Sequence, residues 1–420
     1  MRIFRTGLLV WGLFVLMNAA RAFTQEVYVW QRQFTPAVYQ AVNAIRSKVD
    51  GIAVLAAEIS WSGSMPTLSK SSMSHAQLAS TGKNVSLVLR IGPYAGTFSQ
   101  HDRAANYLVE TAAAILKEAK AGGLTPAELQ VDFDCASSKL AGYREWITAL
   151  RAAVAPTRLI FTALPDWLGR KDFANLARSA CGYVLQVHSL EKPSGPDENF
   201  QLCDPDRSWA WIEKAALVGV PFRVALPTYG YRLAFDPTGK FIALTAEGVS
   251  PSWPEGTQVR VVRADAHALA IFAARIAREK PAACGGIIWF RLPVPDDELN
   301  WNMTTLEALL GGRIPVSRLG VEARWKSPTL AEIYLVNAGE QDEVLPDKIR
   351  TRWSGRESPQ MMDGLGGYLA AFNSPSREAI VLIPRAATAG KVIAPGHTRK
   401  IGWLHFNHES DLFTEISTSP

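Results

Sequence analysis

The sequence predicts an α/β fold, a (β/α)8 TIM barrel over residues 23–312 with a small C-terminal β-rich domain over residues 313–420. Two observations carry that expectation. Between residue 26 and residue 312, eight short apolar runs rich in Val, Ile, Leu and Tyr alternate with helical patterns. After Gly312 the helical period stops, and short strand patterns broken by Gly, Pro, Asn and Asp replace it.

Taken in order, the strand patterns are residues 27–30, 52–59, 85–91, 129–134, 159–164, 183–188, 222–227 and 286–291. Amphipathic helical stretches between them include 104–119, 140–154, 207–217 and 264–278. A strand followed by a crossover of a dozen or more residues requires parallel pairing. Eight such units close naturally into a barrel. The alternative is a doubly wound open sheet, but no glycine fingerprint for a dinucleotide follows an early strand. In the C-terminal part, residues 321–325, 332–337, 350–353, 380–383 and 400–406 read as strands. That domain reads as a cap on the barrel, with a carbohydrate-binding module as the alternative.

The first 22 residues read as a signal peptide. Arg2 and Arg5 form a positive start, residues 7–18 an apolar run, and Ala20-Arg21-Ala22 a small-residue cleavage site. The run is short for a span, although a retained anchor is the competing reading. Cleavage near Ala22 makes the protein exported, periplasmic or extracellular. No later run approaches the roughly 18 continuous apolar residues of a membrane helix, so no integral span is expected. Of 44 basic side chains, three arginines leave with the signal, so 41 face 39 acidic ones. That balance, with no dense basic cluster, argues against nucleic acid as a partner.

Four cysteines remain, at 135, 181, 203 and 284. No C-x-x-C and no His pair at ligand spacing occurs, so neither a metal site nor a cofactor is expected. Cys135 and Cys203 both belong at the same barrel rim, which favours a disulfide between them. Cys181 and Cys284 precede strands two apart at the opposite end, and are expected as free buried thiols.

Chemistry in such a barrel sits at the C-terminal strand ends. The fourth strand ends Gln130-Val131-Asp132-Phe133-Asp134-Cys135-Ala136, the seventh Pro227-Thr228-Tyr229-Gly230, and the eighth reads Gly285-Gly286-Ile287-Ile288-Trp289-Phe290. Together these segments resemble the family 18 glycoside hydrolases, the chitinase-like barrels. That family carries an alternating acidic motif on strand four, Pro-x-Tyr-Gly on strand seven and Gly-x-x-x-Trp on strand eight. Residues 89–96 loosely match its glycine-bearing third strand. More narrowly, the chain resembles bacterial exported proteins known only as a domain of unknown function. The resemblance implies a glycan partner and a final acid on strand four that protonates the glycosidic oxygen. In one register that acid falls on Ala136. Shifted by two, it falls on Asp134, preceded by Gln130 and Asp132. Strand six carries Gln186-Val187-His188-Ser189 where the family has Met-x-Tyr-Asp.

Asp132 and Asp134 are one strand repeat apart and share a face, where two like charges raise one pKa. The competing reading is a pair with Arg90 at the end of strand three. Glu58, ending strand two, is the substitute acid if it faces Asp134, or a partner of Arg90 if it does not. Arg90 itself is either a counter-ion or a binder of an anionic substituent. His188 and Gln186 are candidates for holding a hydroxyl, against a role as satisfied polar residues. The cluster Asp296-Asp297-Glu298 reads as a solvated loop or a helix N-terminal charge complement, with a further acid source as the competing reading. Tyr229 and Trp289 are the expected wall and floor for a sugar ring, with Tyr94, Tyr231, Trp61, Trp167 and Trp301 as further aromatics at strand ends. Three functional readings stand: a glycoside hydrolase acting on a polysaccharide with Asp134 or Glu58 as acid, a glycan-binding lectin that lost the acid, and an envelope structural or assembly protein. The sequence leaves the oligomeric state open.

Overall fold

The computed structural model describes residues 23–417 apart from 64, 190–191, 247–251, 355–356, 374–376 and 386–390; the signal-peptide expectation falls outside the described residues. Eight parallel strands form the barrel: β1 (Thr24–Val29), β2 (Gly51–Ser62), β3 (Asn84–Ile91), β4 (Glu128–Phe133), β5 (Arg158–Ala163), β6 (Tyr183–Gln186), β7 (Phe222–Pro227) and β8 (Cys284–Phe290). They pair in chain order, and β1 bonds both β2 and β8, which closes the ring. Closure excludes the open doubly wound sheet.

One helix follows each strand: α1 (Pro36–Ile45), α2 (His75–Ala79), α3 (Arg103–Ala121), α4 (Leu140–Val154), α5 (Lys171–Ser179), α6 (Pro205–Val218), α7 (Ala266–Glu279) and α8 (Met303–Leu310). Their starts are written in the sequence. Asp102, Asp204 and Asp265 accept hydrogen bonds from the first free backbone N–H groups of α3, α6 and α7. Proline opens α1 and α6, where its missing N–H costs nothing. None of the described helices is long and apolar enough to cross a membrane.

Strand residues alternate between two cores. Tyr28, Ala53, Leu55, Val88, Ile160, Val184, Ala225 and Ile288 fill the barrel interior. Their neighbours, such as Val27, Val54, Leu87 and Leu129, pack outward against the helices. Below the interior layer the base is closed by charge. Arg223 of β7 donates to Glu26 of β1 through Nη1 and to Glu128 of β4 through Nη2.

Two insertions were not legible as strands. Met65–Lys70 folds back antiparallel on the extended end of β2. After β7, Gly230–Phe235 pairs with both Phe241–Thr245 and Gln258–Arg263 in a three-stranded antiparallel sheet standing on the mouth. The alternation in residues 258–263 is a strand signal that the barrel count had absorbed into a crossover.

The C-terminal region holds two four-stranded sheets. One runs in the order Leu319–Ser327, Leu330–Asn337, Thr398–His405, Met361–Gly364. The other runs Tyr368–Phe372, Ala379–Pro384, Ile349–Trp353, Leu412–Ile416. Between them lie Ile333, Leu335, Tyr368, Ile380, Leu382 and Ile401. The barrel is tied to this region by Arg313, which grips Glu340 with both terminal nitrogens at 2.5 and 2.6 Å, and by Thr305, which donates to the Glu340 carbonyl at 2.7 Å.

The expected Cys135–Cys203 bridge is corrected: all four cysteines are free. Cys135 turns into the core under α4, while the Cys203 thiol lies 3.5 Å from the Ser208 hydroxyl of α6. Burial pushes the Cys135 thiol up to about 12 and the Cys203 thiol to about 11, so both are poorly reactive.

Candidate functional site

A cavity of about 300 Å³ opens at the C-terminal end of the barrel. The inward-facing residues at the ends of the strands build it: Trp30 after β1, Arg90 on β3, Asp132 and Asp134 from β4, Thr162 on β5, Gln186 on β6 and Phe290 on β8. The insertion after β7 adds Tyr231, with Tyr229 before it.

Asp132, 6% exposed, is fully committed. It accepts from Arg90 Nη1 at 2.6 Å and from the Thr162 hydroxyl at 2.8 Å. One layer lower, Gln130 donates its amide N–H to the Tyr28 hydroxyl. Asp134, one repeat higher, is exposed to the cavity. The protein atoms crowding it, and then the charge of Asp132, push its pKa up to about 6, although Arg90 pulls the other way. A carboxyl so placed holds a proton in mildly acidic solution and gives it up readily.

The opposite wall is a hydroxyl network. The Ser189 hydroxyl bonds those of Tyr229 and Tyr231, the two phenols lie 3.1 Å apart, and Tyr229 reaches His188 Nδ1 at 3.3 Å. His188 also stacks on Phe290, with ring centroids 5.6 Å apart and planes at 26°. The Arg90 guanidinium sits 5.8 Å from the centre of the Trp30 ring. Polar groups therefore face flat apolar rings across one small space. Among the described residues, no group of three His, Cys, Asp or Glu side chains is placed to hold a metal ion.

The profile of the family described as Domain of unknown function (DUF3142) matches residues 81–295, more than half of the 420-residue chain. The chain belongs to the DUF3142 family. A second profile, Domain of unknown function (DUF8456), matches residues 321–407. No curated protein matches. Among solved structures, the spore cortex-lytic enzyme SleL of Bacillus megaterium QM B1551 is similar at a TM-score of 0.50 and 14% identity, over 71% of this chain and 75% of that one. A chitinase from Chromobacterium violaceum ATCC 12472 is similar at 0.49 and 14%, over 69% and 98%. The family 18 N-acetylglucosaminidase of Paenibacillus barengoltzii is similar at 0.47 and 12%, over 69% and 99%. The DUF3142 barrel is thus similar in fold to the spore cortex-lytic enzyme SleL of Bacillus megaterium QM B1551.

Of the residues singled out in the sequence, the DUF3142 barrel brings Arg90, Asp132, Asp134, Gln186, His188 and Tyr229 into one cavity. Three others are placed elsewhere. Trp289 is not the floor: it is 0% exposed, points outward against Trp301, and donates to Gln25 Oε1 at 3.1 Å. The pairing of Ile288 with Ala225, both interior, puts Phe290 inside instead. Tyr94 lies outside the cavity, packed against Trp61, Trp146 and Phe98 at 4.7, 5.1 and 5.6 Å. Glu58 does not line the cavity either. A bulge between Leu55 and Ala57 sets it opposite Arg90, and its oxygens go to Arg32, with Nη2 at 3.0 Å, and to Arg90 Nε at 3.7 Å. Nor is Asp297 merely solvated, because it takes Arg291 Nε at 2.8 Å and Nη2 at 2.5 Å.

The residues missed are Tyr28, Trp30, Arg32, Thr162, Ser189, Phe290 and Arg291. Tyr28 and Trp30 alternate on one face of β1, which the sequence does show. Arg32 and Ser189 lie in irregular chain beyond the strand ends, where no period exists to read.

Burial pushes the His188 pKa down to about 3, so the imidazole is neutral and serves as a hydrogen-bonding surface, not as an acid. The unfolded chain protonates it near 6.5, the folded chain only near 3. The stability it contributes is therefore fully present above pH 6.5 and is lost as pH falls through that interval. Urea midpoints measured from pH 7 to pH 4 are expected to fall, and to fall less steeply in His188→Gln. Parallel curves for the two proteins would refute this assignment.

Proposed function

We propose that the chain is an exported glycoside hydrolase acting on a polysaccharide, with Asp134 as the acid that protonates the glycosidic oxygen. One observation carries the reading: a cavity-facing carboxyl at the end of β4 with its pKa pushed up to about 6, set between aromatic walls. Asp134 gives its proton to the bridging oxygen as the bond from that oxygen to the sugar's anomeric carbon breaks. The leaving chain departs with the electron pair as an alcohol. The cationic anomeric carbon is then met by water, either directly or by displacing a substituent of the same sugar that has bonded to it first, and the proton that water releases returns to Asp134. Asp132, fixed by Arg90 and Thr162, is held in register below the reaction. The cavity volume is at the small end for ligand sites, which suits one ring of a longer chain.

A second reading, a lectin on the same groove, is favoured by the commitment of Asp132 and Glu58 to arginines, which leaves no second uncommitted carboxylate beside Asp134 among the described residues of the cavity to attack or to activate water. Release of reducing ends from a panel of bacterial and chitin-like polysaccharides separates the two. Turnover supports the hydrolase, and binding without turnover the lectin. In either case Phe290→Ala is expected to weaken glycan binding by about 3–10-fold through loss of ring contact. Trp289→Ala instead costs about 3–5 kcal/mol of stability by opening a core cavity, with binding by the folded protein unchanged. A reversal of these two phenotypes in denaturation and binding assays would put the floor back at Trp289.

A further inference from the structure

Beside the active-site cavity lies a larger cleft of about 1440 Å³, walled by α1, by the edge strand Gln258–Arg263, by residues 293–303 after β8, and by Asp342, Lys391 and His397 of the C-terminal region. The two spaces share a wall. Tyr231 lines the cavity and its neighbour Arg232 the cleft; Arg291 lines the cavity and its partner Asp297 the cleft. Clefts where two structural units meet are common ligand sites.

The charges in the cleft are unevenly matched. Arg232 pairs with Glu298 at 2.6 Å, and Asp297 is held by Arg291. Arg263 donates to a backbone carbonyl, that of Glu298, at 3.0 Å. Arg260 donates to the carbonyls of Pro196, at 2.9 Å, and Glu198. Among the described residues neither guanidinium has a carboxylate within ion-pair distance, and Lys391 also lines the cleft. Against these three cations remain Asp197 and Asp342. Asp342 accepts from Asn302 at 2.5 Å, and burial raises its pKa. Burial lowers the pKa of Arg263, while the charges of Asp342, Glu298 and Asp297 oppose it and that of Arg232 adds to it.

Resting on the hydrolase reading, we infer that the substrate is an anionic polysaccharide, and that this cleft holds an acidic group of the chain on Arg260 or Arg263, which line it from opposite faces of the edge strand, while a neighbouring ring occupies the cavity. The group is a planar or tetrahedral oxyanion, either the carboxylate of a uronic acid or an ester sulfate, both of which match the guanidinium fork.

The test is binding of the whole protein to polygalacturonate, heparin and a neutral dextran, by affinity electrophoresis at two salt concentrations. Wild type is expected to be retarded by at least one acidic polymer, less so at high salt, and not by dextran. Arg260→Gln/Arg263→Gln is expected to lose about tenfold or more in that affinity with an unchanged melting temperature. Preference for heparin names the ester sulfate, and preference for polygalacturonate the carboxylate. Equal retardation by dextran, no retardation by either acidic polymer, or an unaffected double variant overturns the inference. Acidic-glycan binding without bond cleavage leaves the cleft standing and removes the hydrolase reading alone.

Discussion

Asp134→Asn is expected to reduce reducing-end release by about 10²–10⁴-fold, the usual loss when a positioned general acid is removed. The amide keeps the shape of the carboxyl but has no proton to give at an acidic pH. The fold should not suffer. With its native pKa raised from 3.8 to about 6, Asp134 costs stability as the anion, a cost that is full above about pH 6 and fades as pH falls from there to 3.8. The Asn variant should therefore melt at the same temperature as wild type or slightly higher at neutral pH. Activity lost together with stability would point to collapse of the mouth instead. The pH profile gives a second signature. Turnover needs the protonated acid, so kcat/KM should decline as pH rises through about 6. Asp132→Asn, which removes the neighbouring charge that helps raise this pKa, should move that decline to lower pH. A profile indifferent to Asp132 would separate the two carboxylates functionally.

At the other end of the barrel, Arg223→Met is expected to destabilise the protein by about 3–5 kcal/mol. Its guanidinium is the shared partner of Glu26 and Glu128, which come from strands on different sides of the ring. Removing it leaves two carboxylates confined without their cation, which is far worse than losing the whole cluster. Replacing Glu26 and Glu128 by Gln in the same variant should recover most of the loss, as read from denaturant midpoints. If the triple variant is no more stable than Arg223→Met, the cost lies in packing and not in stranded charge. The candidate cavity lies at the far end of the strands, so the folded fraction of either variant should show the same glycan binding as wild type in the assays proposed above.

The barrel was legible because its evidence is local. β7 and α4 fall on the residues that periodicity marks, 222–227 and 140–154. Asp132 and Asp134 were readable as cavity partners because alternation puts residues two apart on one face. The same rule misassigned the floor. Tryptophan 289 was chosen for its chemistry, while the parity of Gly286, Ile288 and Phe290 decides which ring turns inward. Glu58 failed for another reason. A single inserted residue between Leu55 and Ala57 shifts every later side chain of β2, and nothing local announces it. Arg32, which then claims Glu58, comes from the irregular chain after β1.

By itself the sequence determined the eight barrel strands and their order, four of the helices between them, the change of texture after Gly312, and the acidic pair on β4. Each of these follows from short-range periods, caps and breakers that neighbouring residues impose on one another. Only the tertiary structure decided which carboxyl stays uncommitted, which aromatic forms the floor, whether Cys135 meets Cys203, and that a second cleft adjoins the first. Those outcomes depend on register, bulges and the meeting of segments hundreds of residues apart, where the packing of the whole chain selects among side chains that are chemically equivalent in the sequence.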